Sequence, residues 1–131
     1  MTLWEDPVIP NDVSVWISPW NWKVVRPDNF ILGRQTDIGS YTVILAQQGV
    51  TIEDKAQVGP GVKILSISTI DGKQGKVTIK RNARVGANSV VMPGVTIGEN
   101  AVVGALTFVN RDIPDNEVWY GIPARYRRDV S

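Results

Sequence analysis

Any chemistry in this chain has to proceed without histidine or cysteine, because its 131 residues contain neither. Ser-His and Cys-His nucleophile pairs are excluded, and so is an imidazole base. Disulfides and thiolate metal sites are excluded too. A catalytic zinc would have to sit on carboxylates alone, an uncommon set for that metal, so no metal site is expected. Aspartate, glutamate, tyrosine, lysine, hydroxyls and backbone remain. Two stretches stand out. One is the polar run STIDGKQGK, which follows Ile67 and holds Ser68, Thr69 and Asp71. The other is the C-terminal VNRDIPDNEVWYGIPARYRR, where Arg111, Arg125, Arg127 and Arg128 gather. Guanidinium groups match phosphate geometry, so these arginines point to a phosphate-bearing ligand, against the plainer reading of a solubilising terminus. Asp71 precedes Gly72, and Asp-Gly favours turns, so a turn-capping role competes there with a chemical one.

The elements that must position these groups repeat every six residues. Apolar residues fall at Ile79, Val85, Val91, Ile97, Val103 and Val109 in unbroken register. The same beat runs through Leu32, Ile38 and Ile44, slips by two, and resumes at Ile52, Val58 and Ile64. Six is the period of neither a helix nor a half-exposed strand. It fits a solenoid in which each hexad makes one flat face of a triangular coil. The position after the repeated apolar residue is often glycine, as at Gly33, Gly39, Gly59, Gly86, Gly98 and Gly104, where the corner must turn and glycine tolerates unusual φ/ψ. Four positions after it stands a small or β-branched residue, such as Thr42, Ala56, Val62, Ala83, Ser89, Ala101 or Thr107. About four coils at ~4.8 Å each give a prism roughly 20 Å tall. The predicted fold is therefore all-β, a left-handed parallel β-helix in one domain over 1–131. A cap covers 1–30, hexapeptide coils occupy 31–113, and an extended tail covers 114–131. The cap holds Trp4, Trp16, Trp20 and Trp22 around WISPWNW; covering the open end of the solenoid is favoured over a carbohydrate-stacking or membrane-interface patch. The AQQG stretch and the STIDGKQGK stretch lengthen the repeat and are expected to leave it as loops, a common position for binding groups. Outward apolar side chains such as Val90 and Met92 have nothing from their own chain to cover them, which argues for a closed three-fold ring.

Fourteen basic against thirteen acidic residues leave a net charge of +1, so no large field marks a nucleic-acid binder. No apolar run is long enough for a membrane span. The start, MTLWEDPVIP, is acidic and lacks the apolar stretch of a secretory signal. Cytoplasm is the expected location.

The block VGANSVVMPGVTIGENAVVGALTFVNRDIPDN, followed by YGIPAR, resembles the terminal coils of the hexapeptide-repeat acyltransferases, which use acetyl-CoA. The resemblance covers about residues 31 to 126. The upstream GVTIEDKAQVGP looks like the branch that acetylates amino groups on nucleotide-linked sugars. The family pattern implies a trimer with the pantetheine arm between neighbouring prisms, near backbone at Ala87 and Ala105 and the side chain of Thr107. Arg111, where the family usually has lysine, and Arg125 would take the phosphates of CoA. Ile122 stands where the family usually has asparagine, so any contact through that amide is lost.

The resemblance also implies a catalytic histidine, and its position falls at about Ser68 or Thr69. Three accounts are consistent with its absence. A carboxylate replaces it, Asp71 being best placed and Glu53 or Asp54 next; or positioning does most of the work on an acceptor amine; or the protein is a non-catalytic trimeric scaffold. General-base catalysis typically contributes about 10²–10⁴-fold, whereas positioning can supply about 7–11 kcal/mol. Loss of histidine therefore need not abolish acetyl transfer, above all to an amine. The expected activity is acetyl transfer from acetyl-CoA to the amino group of a nucleotide-linked amino sugar, with O-acetylation of a saccharide as the alternative. The carbonic-anhydrase-type branch of this fold uses histidine-bound zinc and is rejected.

Overall fold

The computed structural model describes residues 5–131. The expected Trp4 contribution to the cap lies outside the described residues. Within them the chain is a parallel β-helix of about five turns, the left-handed solenoid anticipated from the hexads. Face one stacks Val15–Ile17, Lys23–Val25, Val43–Leu45, Lys63–Leu65, Val90–Val91 and Phe108–Val109. Face two stacks Phe30–Leu32, Val50–Ile52, Val77–Ile79 and Thr96–Ile97. Face three stacks Asp37–Ile38, Gln57–Val58, Arg84–Val85, Val102–Val103, Glu117–Gly121 and Ala124–Asp129.

Register explains why the hexad matters. Val24, Ile44, Ile64, Val91 and Val109 form one inward column. Leu32, Ile52, Ile79 and Ile97 form the second, and Ile38, Val58, Val85 and Val103 the third. All but half-exposed Leu32 are buried, and each fully buried aliphatic side chain contributes about 1.5–3 kcal/mol. The small residues four positions on are also buried. Where they carry a hydroxyl, a corner carbonyl accepts it: Thr42 Oγ1 donates to Gly59 O at 3.0 Å and Ser89 Oγ to Gly104 O at 3.0 Å.

The corner glycines serve close approach rather than unusual dihedrals. A Cβ on Gly59 would lie 2.7 Å from Ala87 N, and one on Gly98 2.5 Å from Asp115 N, while neither residue has a positive φ. The left-handed conformations fall two or three residues later, mostly on residues with side chains: Gln35, Lys55, Asn82, Asn100 and Asn116 at one corner, Tyr41, Asn88 and Leu106 at the next, with φ of 56–66°. Asparagine suits this region, and three of them form an amide ladder, Asn82 Nδ2 donating to Asn100 Oδ1 at 2.8 Å and Asn100 Nδ2 to Asn116 Oδ1 at 3.0 Å.

The cap is a hairpin. Val15–Ile17 runs antiparallel to Lys23–Val25, and Lys23–Val25 already stacks in parallel on Val43–Leu45. Trp22 is buried, edge-on to Trp16 at 5.2 Å and to Phe30 at 6.3 Å. Other elements depart from the sequence reading. AQQG is not a loop but a wider corner, with Ala46 buried and Gly49 at φ 95°. Met92 is buried by its own chain, 9% exposed within the core cluster, so it is not an uncovered outward residue. The tail, by contrast, is extended as expected and folds back, Glu117–Gly121 pairing with Ala124–Asp129 as a second hairpin that extends face three. Among the described residues no helix is long and apolar enough to cross a membrane.

Candidate functional site

The candidate cofactor residues are spread over the C-terminal half of the solenoid: Ala87, Ala105 and Thr107 on the corner between faces three and one, Arg125 on the C-terminal hairpin, and Arg111 between Phe108–Val109 of face one and Ile113, which bridges to Ile97 of face two. A backbone ladder defines that corner: Tyr41 N donates to Asn21 O, Gly61 N to Ser40 O, Asn88 N to Pro60 O, and Leu106 N to Ala87 O at 2.9 Å. Ala87 and Ala105 therefore occupy equivalent places one coil apart, Ala105 fully at the surface and Ala87 half-buried. Thr107 lies beneath them, only 1% exposed. Its hydroxyl donates to Gly104 O at 2.7 Å and accepts from Gly121 N at 3.3 Å. This threonine ties the C-terminal hairpin to the corner, and its side chain is engaged inward rather than presented to a ligand.

That hairpin carries Arg125 and Arg127, and Arg111 stands on the preceding turn, after Phe108–Val109. Arg111 and Arg125 line one depression of about 200 Å³ together with Asn110, Pro123 and Ala124. The Arg111 guanidinium stands over the Trp119 ring at 5.8 Å, a cation–π contact that limits its motion. Arg127 is used differently: it lies over Tyr120 at 4.4 Å and donates twice to Tyr120 O, at 3.1 and 2.9 Å. Neither Arg111 nor Arg125 is in an ion pair among the described residues, so both are open to an anion. Ile122, at the hairpin turn, is 79% exposed.

The candidate base lies elsewhere on the chain. Ile67–Ser68 pairs antiparallel with Lys73–Gln74, and the four residues between them make the tip of a projecting hairpin. The hairpin leaves the corner between faces one and two, where Gly75 N donates to Ser66 O at 2.9 Å. Asp71 caps the turn: its Oδ1 accepts from Lys73 N at 3.3 Å, and its Oδ2 is 3.9 Å from Lys73 Nζ. A hydrogen bond from Ser68, assisted by the Lys73 backbone and charge, holds the Asp71 carboxyl below the usual carboxylate range. Thr69 is exposed at the tip. Within one chain this hairpin and the Ala87–Ala105 corner stand on opposite edges of face one.

Glu53 and Asp54 belong to the remaining corner, between faces two and three. Asp54 Oδ1 accepts from Arg34 N at 2.8 Å and Glu53 Oε1 from Arg81 N at 3.1 Å. They border an open groove of about 290 Å³ beside Ile31 and Thr51 and serve as corner caps. Among the described residues no group of three or more acidic side chains could hold a metal ion. Sequence reasoning did not find the Arg111–Trp119 contact or the Thr107–Gly121 link; both depend on Glu117–Gly121 stacking in parallel on Val102–Val103 after the hexad beat has ended.

Comparison with known proteins agrees with this architecture. The family described as "Bacterial transferase hexapeptide (six repeats)" matches residues 76–111. Galactoside O-acetyltransferase of Escherichia coli is 33% identical over 116 residues, covering 79% of this chain and 55% of that one. The dTDP-3-amino-3,6-dideoxy-α-D-galactopyranose 3-N-acetyltransferase of Aneurinibacillus thermoaerophilus is 51% identical over 53 residues, 40% of this chain and 28% of that one. A hexapeptide-repeat acetyltransferase of Vibrio cholerae, solved in complex with acetyl coenzyme A, superposes with a TM-score of 0.80 at 28% identity, over 86% of this chain and 66% of that one. The chain spans about half the length, or less, of these curated relatives. In hexad, coil register and these likenesses the chain resembles the hexapeptide-repeat bacterial transferases, whose family pattern matches its residues 76–111.

Proposed function

We propose that this protein transfers an acetyl group from acetyl-CoA to a sugar, at the amino group of a nucleotide-linked amino sugar, with a saccharide hydroxyl as the alternative acceptor. The observation that carries the reading is the convergence of Arg111 and Arg125 on one depression lined also by Asn110, Pro123 and Ala124, in a chain whose relatives acetylate sugars. In this reading the two guanidiniums hold the phosphates of CoA and the pantetheine arm runs up the corner past Ala105 and Ala87. Thr107 acts as a positioning residue that fixes the hairpin bearing Arg125.

The acceptor nitrogen attacks the thioester carbonyl, the C–S bond breaks, and CoA leaves as the thiolate or thiol. The acceptor proton passes to a base or to solvent. Asp71 is our candidate base, with Ser68 and Thr69 beside it on the hairpin tip. Because that hairpin and the cofactor corner lie on opposite edges of face one, we assign them to the same cleft only across a subunit boundary. A homotrimer places each hairpin against the corner of a neighbour. We treat 1–131 as one such unit and the cytoplasm, where acetyl-CoA is available, as its place of action.

The thermal midpoint with and without millimolar acetyl-CoA tests the reading. At 100 times its dissociation constant a ligand adds about 2.7 kcal/mol, a rise of several degrees for a domain of this size. No rise at millimolar acetyl-CoA would remove the transferase reading in favour of a non-catalytic scaffold.

A further inference from the structure

A tryptophan closes each end of the solenoid, and the two are dressed differently. At the N-terminal end Trp22 is 2% exposed and meets the rings of Trp16 and Phe30 edge-on. At the C-terminal end Trp119 takes the position that Val103 holds one coil earlier, and Gly104 N donates to its carbonyl at 3.0 Å. Its ring is half-buried and packs on the last of the core. Covering apolar side chains asks no more of a residue than Trp22 does.

Trp119 carries charged neighbours as well. The Arg111 guanidinium stands over its ring at 5.8 Å, and its Nε1 donates to Glu117 Oε1 at 2.9 Å. Tyr126 meets the same ring edge-on at 6.4 Å, and its hydroxyl donates to Asp129 Oδ1 at 2.9 Å. The indole is therefore fixed from two sides by the hairpin, while Arg111 comes from the turn before it. The carboxylates nearest to Arg111 in sequence are engaged elsewhere: Asp112 Oδ1 accepts from Thr96 N at 2.8 Å, and Glu117 holds the indole. Among the described residues neither forms an ion pair with Arg111.

An exposed arginine that must order itself around an anion loses side-chain entropy on binding, and a guanidinium already resting on a fixed ring loses less. We infer that Trp119 is a positioning residue, which pre-orders Arg111 for the phosphates of CoA. The role rests on the acetyl-transfer reading above and deepens it.

Titration calorimetry with CoA on the full chain tests it. Trp119→Leu, which still covers the core, weakens CoA about fivefold, and Trp119→Phe, which keeps a ring under the guanidinium, restores most of the affinity. In an Arg111→Ala background Trp119→Leu changes CoA affinity by less than about twofold, because the tryptophan acts through that arginine. A residue that only plugs the solenoid lowers the thermal midpoint in both backgrounds and shows no such dependence on Arg111. Tyr126→Leu, a substitution at a half-exposed site that leaves the plug in place, loosens the ring and weakens CoA about twofold. Wild-type affinity in Trp119→Leu, or an equal loss with and without Arg111, overturns the positioning role and leaves the transferase reading intact. No CoA binding by wild type overturns the transferase reading, and the positioning role with it.

Discussion

At the scale of single residues the proposed mechanism assigns holding and reacting to different groups, and each assignment makes its own prediction. Arg111 is braced by Trp119, and Arg125 stands opposite it across the same depression. A hydrogen bond to a charged group is worth about 1.5–3 kcal/mol, so Arg111→Ala and Arg125→Ala should each weaken acetyl-CoA binding about 10- to 100-fold. Titration calorimetry checks this, and Arg127→Ala, whose side chain is occupied by Tyr120, serves as the control that leaves binding unchanged. Asp71 makes a different prediction. Its folded carboxyl is held below the usual range, first by Ser68 and then by Lys73, so it protonates only as pH falls through that lowered value. Between about pH 5 and pH 9 it stays ionised, and it contributes no limb to the pH–rate profile there. Any rise of kcat/KM with pH in this window then belongs to the acceptor. An amine gives a tenfold rise per unit below its own pKa, whereas a hydroxyl gives a flat profile. The pH profile with an amino sugar and with its hydroxyl counterpart separates N- from O-acetylation, and a neutral-pH limb that disappears in Asp71→Asn would refute the ionised-carboxylate account.

At the scale of elements the coils are set by how closely successive backbones approach. Gly59 has ordinary dihedrals yet no room for a Cβ against Ala87. Gly59→Ala should cost about 1–3 kcal/mol as an overpacked contact and should also displace Ala87, lowering the thermal midpoint by several degrees and weakening acetyl-CoA binding. Gly72→Ala meets nothing within 4 Å and carries only the strain of its positive φ. Differential scanning calorimetry on both variants separates crowding from backbone strain. The sequence made the inward columns legible because an apolar residue every sixth position has only one geometric meaning. It also marked the Ser68–Asp71 segment as an excursion. It hid the role of the corner glycines, since close approach and unusual φ both select glycine, and only coordinates show that Lys55, Tyr41 and Leu106 took the left-handed places instead. Met92 was misread because a hexad pattern gives direction but not what lies over a side chain. The site was only half legible: Arg111 and Arg125 were identified from residue type, but their meeting depends on an antiparallel turn that breaks the repeat.

At the scale of the whole molecule the question is how the hairpin bearing Asp71 meets the corner bearing Ala87. Face one separates them in a single chain, and Ile70 at the hairpin tip is 99% exposed. A two-residue-per-strand hairpin is marginal without another surface, and in the proposed trimer a second copy would supply one. A closed ring with three-fold symmetry would make three equivalent clefts, and the proposal has each take its arginines from one protomer and its hairpin from the next. Light scattering should accordingly give three times the 14.4 kDa chain mass. The sharper consequence concerns mixed rings. A chain lacking residues 67–74 keeps Arg111 and Arg125 and should bind acetyl-CoA without turning it over. The double variant Arg111→Ala, Arg125→Ala keeps the hairpin and should fail for the opposite reason. Neither is active alone, but when equal amounts are unfolded and refolded together, about a quarter of the clefts in random trimers combine an intact corner with an intact neighbouring hairpin. Acetyl transfer should return to about a quarter of the wild-type rate if each cleft is independent. A site contained within one chain gives no recovery at any mixing ratio, because no protomer then carries both intact parts.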